Sequence, residues 1–130
     1  MQAGTVLVVD DDPSMVKLVR LALESAGFRV YGALGFNDAL AVLSSTSFEI
    51  GVAVIDYELP GSRLDDLLRE VRSQPHPIRA IVTSGYSLDM LEVAGGPLPA
   101  GVDFLKKPFL PRDLVASVQR AFTKASGSGS

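Results

Sequence analysis

The chain has 130 residues, 47% of them hydrophobic, which suits a single domain with its own core. Its net charge of −3 and the lack of any Lys/Arg cluster argue against direct binding of nucleic acid. The absence of cysteine excludes disulfides and thiolate metal sites, and no apolar stretch approaches the ~20 residues of a membrane span. We therefore expect a cytoplasmic domain that does not enter a membrane.

The first half of the chain alternates strand-like and helix-like patterns. Residues 5–9 form a β-branched apolar run, typical of a strand buried on both faces of a parallel sheet. A helix follows, with Asp12 as its N-cap, Pro13 at its first position and Gly27 just after its end. Residues 29–31 predict a short second strand. The next helix is marked by three apolar residues, Phe36, Leu40 and Leu43.

The second half repeats the alternation. Residues 50–55 and 78–82 are apolar runs that predict two more buried strands. The helix between them is marked by Leu64, Leu67, Leu68 and Val71 at i, i+3, i+4 and i+7. A helix beginning near Ser87 must be short, because several glycines and prolines follow from Gly95 onward. Residues 104–105 predict the fifth strand, and a last helix opens at Pro111 and presents Leu114, Val118 and Phe122.

This order, βα repeated five times, predicts an α/β fold. We expect a doubly wound, five-stranded parallel sheet with helices on both faces. The two shorter, mixed strands at residues 29–31 and 104–105 suit the edges. We place the domain at residues 1–125 and interpret residues 126–130 as a Ser/Gly linker or an added tail.

Residues suited to phosphoryl chemistry stand where four of these strands end. Asp10 and Asp11 follow the first strand, Asp56 the third, Thr83 and Ser84 the fourth, and Lys107 the fifth. Ligands bind beyond the carboxyl ends of the strands in such sheets, so these side chains should meet there. Clustered carboxylates favour a hard cation such as Mg²⁺, and a screened Asp56 could attack phosphorus while Lys107 and Thr83 offset charge on the phosphoryl oxygens.

These residues, in this order, strongly resemble the receiver domain of two-component response regulators, over about residues 5–122. The resemblance implies the flavodoxin-like (βα)5 fold with strand order 2-1-3-4-5. It also implies roles for individual residues: Asp10 and Asp11 as metal ligands, Asp56 as phosphoacceptor and metal ligand, Glu58 as a metal ligand through its backbone carbonyl, Thr83 and Phe104 as switch residues, Lys107 as the site lysine, and Pro108 in a cis Lys-Pro bond. Ser84 lies beside the switch hydroxyl.

The resemblance further implies a phosphorelay function. A phosphohistidine of a sensor histidine kinase or a histidine phosphotransfer protein would donate its phosphoryl group to Asp56, with Mg²⁺ or Mn²⁺ as cofactor. Thr83 would then move toward the phosphate, and Phe104 would turn inward and change the surface. The chain is thus expected to be a phosphoacceptor module that catalyses its own phosphorylation, not an enzyme, and it is compatible with attachment to an output or kinase domain.

Other interpretations remain open. In an aspartate-nucleophile phosphatase, two acids stand two residues apart after the first strand, as Asp10 and Asp12 do, but the later acid pair and cap domain have no counterpart here. A receiver-like binding module that is never phosphorylated would not need the intact acid, hydroxyl and lysine set. Phe104 suits plain packing as well as a switch role. His76, between two prolines, is expected in a solvated loop without a metal.

Overall fold

The computed structural model describes residues 4–46, 49–61 and 63–127, without the side chains of residues 125–127. Strands and helices alternate through this part of the chain. The elements are β1 Thr5–Val9, α1 Pro13–Ser25, β2 Arg29–Ala33, α2 Phe36–Thr46, β3 Ile50–Asp56, α3 Leu64–Arg72, β4 Arg79–Ser84, α4 Leu88–Gly95, β5 Asp103–Lys106 and α5 Pro111–Gly127.

The five strands form one parallel sheet in the order β2-β1-β3-β4-β5. The predicted doubly wound fold and strand order are therefore confirmed, with β2 and β5 at the edges. Because all strands run in the same direction, their carboxyl ends share one edge of the sheet, and their amino ends share the opposite edge. We call these the carboxyl edge and the amino edge.

Four of the strands extend beyond the apolar runs that predicted them. The ladder between β3 and β4 continues to the pair Asp56 and Thr83, and that between β4 and β5 to the pair Ser84 and Lys106. Backbone pairing does not require an apolar side chain, so polar residues continue a strand when a partner strand lies beside them. Asp56, Thr83 and Ser84 thus lie within strands.

The core has two layers, one on each face of the sheet. On one face, β-strand residues pack with α2 and α3, and all four predicted α3 positions are buried. On the other face, strand residues pack with α1 and α5, where Val19, Leu23, Leu114 and Val118 are buried. In α2, Leu43 is buried as expected, but the second buried position is Ala39, while Leu40 is half-buried. Small alanine fits closest to the sheet, which a pattern of large apolar residues does not reveal.

Several helix ends follow the predicted chemistry. The Asp12 side chain caps α1 by accepting a hydrogen bond from the Ser14 amide at 2.9 Å, and Gly27 follows with a φ of 96°. Ser87 caps α4, which is only eight residues long. At the other terminus, α5 continues to Gly127, so residues 126 and 127 of the predicted tail are helical, while residues 128–130 lie outside the described part.

None of the helices in the described ranges is long and apolar enough to cross a lipid bilayer.

Candidate functional site

The carboxyl edge brings the predicted acids and the predicted lysine together. Asp10 follows β1 directly, Asp56 is the last residue of β3, and Lys107 follows β5. The Lys107 ammonium lies 2.8 Å from Asp10 Oδ2 and 3.4 Å from Asp56 Oδ1. Asp10 and Lys107 are 97 positions apart in the chain, and the sheet brings them to the same edge although β1 and β5 are not neighbouring strands.

Backbone contacts hold Asp10 in place. Its amide donates to the Ala33 carbonyl of β2 at 3.1 Å, which continues the sheet beyond the last strand residue. Its Oδ1 atom accepts a hydrogen bond from the Asp12 amide at 2.9 Å, while Oδ2 accepts from Lys107. Asp12 therefore contributes twice, as helix cap and as a donor to the buried acid. Asp11 is exposed, and one of its carboxylate oxygens lies within 4.8 Å of oxygens of Asp10 and Asp56.

The two carboxylate oxygens of Asp56 differ. Oδ1 accepts from the Glu58 amide at 3.2 Å and lies 3.4 Å from the Lys107 ammonium, whereas Oδ2 accepts no hydrogen bond from any residue that the structure describes. The Asp56 side chain is only 5% exposed. Burial raises the pKa of the Asp56 carboxyl, and the negative charge of Asp10 adds to the increase, although Lys107 opposes it. The positive charge of Lys107 thus does not fully offset the cost of ionising the Asp56 carboxyl.

Lys107 reaches the acids from a fixed backbone. Its amide donates to the Ser84 carbonyl at 2.7 Å, and the following peptide bond to Pro108 is cis. Burial on its own lowers the pKa of the Lys107 ammonium, but the hydrogen bond and charge of Asp10, together with Asp56, outweigh it and raise that pKa. The ammonium is therefore held in its charged form between two carboxylates.

The two predicted switch residues lie in different surroundings. Thr83 is buried and stands opposite Asp56 in the ladder, and its carbonyl accepts a hydrogen bond from the Tyr57 amide at 2.8 Å. Phe104 is half-buried and packs against the apolar cluster shared with α2 and α3. Ser84 is fully buried, and its hydroxyl accepts from the Tyr86 amide at 3.0 Å, so it shapes the loop that follows β4.

One contact at this edge was missed by the sequence analysis. The Glu58 side chain accepts a hydrogen bond from the Gly85 amide at 3.2 Å, in addition to the metal-binding role expected of the Glu58 backbone carbonyl. It thereby links the loop after β3 to the loop after β4. Both residues stand within two positions of the ends of adjacent strands, a spacing from which the link could have been suspected.

The donor set fits a hard divalent cation. Three carboxylates, Asp10, Asp11 and Asp56, offer oxygens that lie within 4.8 Å of one another, and Lys107 supplies the only positive charge in contact with this cluster among the described residues. Carboxylate oxygens are ligands that Mg²⁺ and Mn²⁺ prefer, and a cation relieves the repulsion that, after burial, raises the pKa of Asp56.

Comparisons with known proteins agree with this geometry. Residues 6–119 match the family model described as "Response regulator receiver domain". Over 123 residues the chain is 34% identical to the transcriptional regulatory protein FixJ of Bradyrhizobium diazoefficiens, covering 94% of the chain and 58% of FixJ. Over 122 residues it is 31% identical to the sensor kinase CckA of Brucella abortus, covering 94% of the chain but only 13% of CckA.

A solved structure supports the same assignment. The response regulator receiver domain protein from Clostridium thermocellum is 25% identical and superimposes with a TM-score of 0.78, covering 96% of this chain and 98% of that one. The chain therefore spans almost all of that receiver domain protein but only part of the length of FixJ and CckA. The family match over most of its length, the strand order and the relatives together show that this chain belongs to the response regulator receiver domain family.

Proposed function

We propose that this chain is the phosphoacceptor of a two-component phosphorelay and that Asp56 receives the phosphoryl group. The observation that carries the proposal is the asymmetry of the Asp56 carboxylate. Oδ1 is occupied by the Glu58 amide and Lys107, while Oδ2 accepts no hydrogen bond from the described residues. A carboxylate fixed through one oxygen presents the other as a nucleophile.

The proposed phosphoryl transfer forms one bond and breaks one bond, so that atoms and charge balance. Asp56 Oδ2 attacks the phosphorus of a phosphohistidine on the partner, a P–O bond forms, and the P–N bond breaks. The leaving imidazole nitrogen keeps the electron pair of the broken bond and takes up a proton. The product is an aspartyl phosphate on this chain and a free histidine on the partner, so the chain acts once per phosphoryl group.

Lys107 and Thr83 act on the transferred group. The Lys107 ammonium already lies 3.4 Å from Asp56 and can shift toward the phosphoryl oxygens as they approach. Its raised pKa keeps it charged at neutral pH. Thr83 is the ladder partner of Asp56, which supports a role for its hydroxyl as donor to one phosphoryl oxygen.

Magnesium or manganese would be held by the carboxylates of Asp10, Asp11 and Asp56 and by the Glu58 backbone carbonyl. When bound, the ion supplies positive charge that offsets both the acidic cluster and the phosphoryl oxygens.

The contacts around Thr83 suggest how the surface changes. In this structure Glu58 accepts from the Gly85 amide, which holds the loop after β4 close to the loop after β3. Movement of Thr83 toward a phosphoryl group pulls on that loop and favours loss of the Glu58 contact. Phe104 then turns into the space that Thr83 leaves. Such a switch has two discrete arrangements, since packed side chains do not deform continuously.

The relatives indicate the kind of partner and context. One relative is named a transcriptional regulatory protein and another a sensor kinase, and the chain matches only part of each. We therefore propose a sensor histidine kinase or a histidine phosphotransfer protein as phosphodonor, in the cytoplasm, with an output or kinase domain as covalent neighbour. Such a neighbour, rather than this domain, would carry any nucleic-acid binding.

The test uses acetyl phosphate as a small phosphodonor. The chain is incubated with it in the presence of Mg²⁺ or of EDTA, and the intact mass is measured. We expect one alkali-labile phosphate per chain with Mg²⁺ and none with EDTA. Asp56→Asn should abolish labelling, whereas Asp12→Asn, which keeps a capping side chain outside the cluster, should still be labelled.

Two results would contradict the proposal. Absence of labelling from both acetyl phosphate and a phosphorylated histidine protein would favour a binding module that is never phosphorylated. Continuous turnover of a small phosphoester, without a stable adduct on Asp56, would favour a phosphatase.

A further inference from the structure

A second charged region lies at the amino edge, on the opposite side of the sheet from Asp56. There a cavity of about 380 Å³ opens between the loop before β4, the loop before β5 and the end of α5. Three basic side chains line it, Arg72, Arg79 and Lys124. We call this cavity the amino-edge pocket. None of its lining residues belongs to the phosphoryl site.

Positive charge dominates the amino-edge pocket. Asp103 is the only described acid in contact with its basic residues, with Oδ1 at 3.3 Å from Lys124 Nζ and 3.9 Å from Arg79 Nη2. Arg72 contacts no carboxylate in the described ranges and donates instead to the Ala100 carbonyl at 2.6 Å. Arg79 and Lys124 thus share one carboxylate while Arg72 has none, and an anion entering the pocket would meet uncompensated charge.

One donor in the pocket lacks an acceptor. The Arg79 Nε atom is buried and has no hydrogen-bond partner in the part of the chain that the structure describes. Buried N–H groups nearly always have a partner in folded proteins, which makes this an exception that calls for an explanation. Gly101 lies beside the same guanidinium with a φ of 83°, and a Cβ there would be 3.6 Å from Arg79 Nη1. Gly101 therefore places no side chain against the Nη1 end of the Arg79 guanidinium.

The walls include groups that suit an organic ligand. His76, expected in a solvated loop, is instead half-buried, and its Nε2 lies 3.1 Å from the Ile50 carbonyl. Because a carbonyl only accepts, Nε2 carries the proton and the ring is fixed against the start of β3. Two prolines beside it, Pro75 and Pro77, add apolar surface to the same wall. The cavity volume lies at the small end of the ~300 to 1,000 Å³ common for small-molecule sites.

We propose that the amino-edge pocket binds the phosphate group of a small molecule. Guanidinium groups present parallel N–H donors that match phosphate oxygens, so Arg72 and Arg79 would bind the anion while Lys124 adds charge. The contacts would come from the Nη groups of these guanidiniums, because the Arg79 Nε atom is buried. Free phosphate and a phosphate ester offer the same chemistry, and the experiment separates them. The pocket is independent of phosphorylation at Asp56.

The test follows backbone amide resonances of the ¹⁵N-labelled chain in metal-free buffer at constant ionic strength. The probes are inorganic phosphate, adenosine monophosphate and adenosine, each added at millimolar concentration against a sodium chloride control. We expect saturable shifts at residues 72–80 and 100–103 with either phosphate probe and none with adenosine. Tighter binding of adenosine monophosphate than of inorganic phosphate would identify an ester as the ligand; similar affinities would identify the phosphate group alone.

Two pocket variants and one control locate the binding. Arg72→Gln and Arg79→Gln should each weaken phosphate binding by roughly tenfold or more, because each removes a charge-assisted contact. Lys17→Gln removes an exposed cation of α1 and should leave binding unchanged. Arg72 makes no ion pair in the described ranges, so its variant keeps the test valid if Arg79→Gln fails to fold.

Three outcomes would overturn the proposal. The first is no saturable shift at the pocket with either phosphate probe. The second is an equal response to adenosine, and the third is binding that the Arg72 variant leaves intact. Because every arm is run without Mg²⁺ and is read at the amino edge, these outcomes say nothing against Asp56 as phosphoacceptor.

Discussion

The two edges of the sheet carry charge of opposite sign in very different surroundings. At the carboxyl edge, the Asp10 and Asp56 side chains are each 5% exposed and share the ammonium of Lys107. At the amino edge, Arg79 and Lys124 share the carboxylate of Asp103, but their side chains are 26% and 50% exposed. Each edge has an excess of one sign, yet only the carboxyl edge holds its excess away from water.

This difference indicates that burial, more than the number of charges, determines what each edge contributes to stability. An unpaired charge in a buried site costs several kcal/mol, whereas an exposed pair contributes about 0 to 1 kcal/mol. The carboxyl edge should therefore respond strongly to a lost or added counter-charge, and the amino edge only weakly. Four measurements test this contrast, in order of decreasing expected effect.

Substitution of Lys107 should give the largest effect. Lys107→Met leaves Asp10 and Asp56 buried without their cation, and we expect a loss of about 2 to 3 kcal/mol in the free energy of unfolding at pH 7. The measurement is urea denaturation in EDTA. Lys106→Met is the matched control, because that neighbouring side chain is exposed, and it should change stability by less than about 0.5 kcal/mol. Similar losses for the two variants would remove the contrast between burial and exposure.

Addition of Mg²⁺ should recover part of the stability that repulsion within the acidic cluster removes. A ligand that binds only the folded state at about 100 times its dissociation constant adds about 2.7 kcal/mol to the free energy of unfolding. We expect a gain of this order for the unmodified chain and a much smaller gain for Asp11→Asn, measured by urea denaturation with and without Mg²⁺. A full gain in Asp11→Asn would mean that the ion binds elsewhere.

Neutralisation of Asp56 should stabilise the metal-free protein. Burial and the Asp10 charge raise the pKa of Asp56 in the folded state, so its ionisation opposes folding. Below the ordinary aspartate pKa the carboxyl is protonated in both states, and Asp56→Asn should change little. As the pH rises through the ordinary value and then the raised one, the unmodified chain should lose stability relative to the variant, by about 1 kcal/mol at most.

Thermal unfolding of both proteins in EDTA, at several pH values between 3.5 and 7, gives this difference directly. A difference that shrinks as the pH rises would contradict the direction of the Asp56 pKa shift.

Substitution at the amino edge should give the smallest effect. Lys124→Gln removes an ion pair whose lysine is half exposed, and we expect a change below about 0.5 kcal/mol in urea denaturation. A loss above about 1 kcal/mol would mean that the amino-edge charges hold the fold together, and the two edges would then differ in sign only.

The fold and the main site residues could be predicted because each left a local signal. Continuous apolar runs marked β1 and β3, and the acids and lysine stood directly at strand ends, where a parallel sheet brings them to one edge. The alternation of strands and helices was therefore enough to predict that Asp10, Asp56 and Lys107 lie at one edge of the sheet.

The contacts that escaped prediction depend on loop paths and on side-chain length. The hydrogen bond from Gly85 to Glu58 joins two loops that adjacent strand ends bring near each other, but the loop paths that decide the contact leave no pattern in the sequence. The amino-edge pocket combines Arg72, Arg79 and Lys124, which follow no common spacing and meet only because α3, β4 and α5 end or begin at one place. His76 was misjudged for the same reason, since its partner Ile50 lies 26 positions away.

The distance of 97 positions between Asp10 and Lys107 has a consequence for the chain during its synthesis. A ribosome-bound nascent chain that has exposed its first four strands already contains all three acids of the cluster but not the lysine that compensates them. The ion pairs of Lys107 with Asp10 and Asp56 can therefore form only after β5 has emerged, late in the synthesis of the domain.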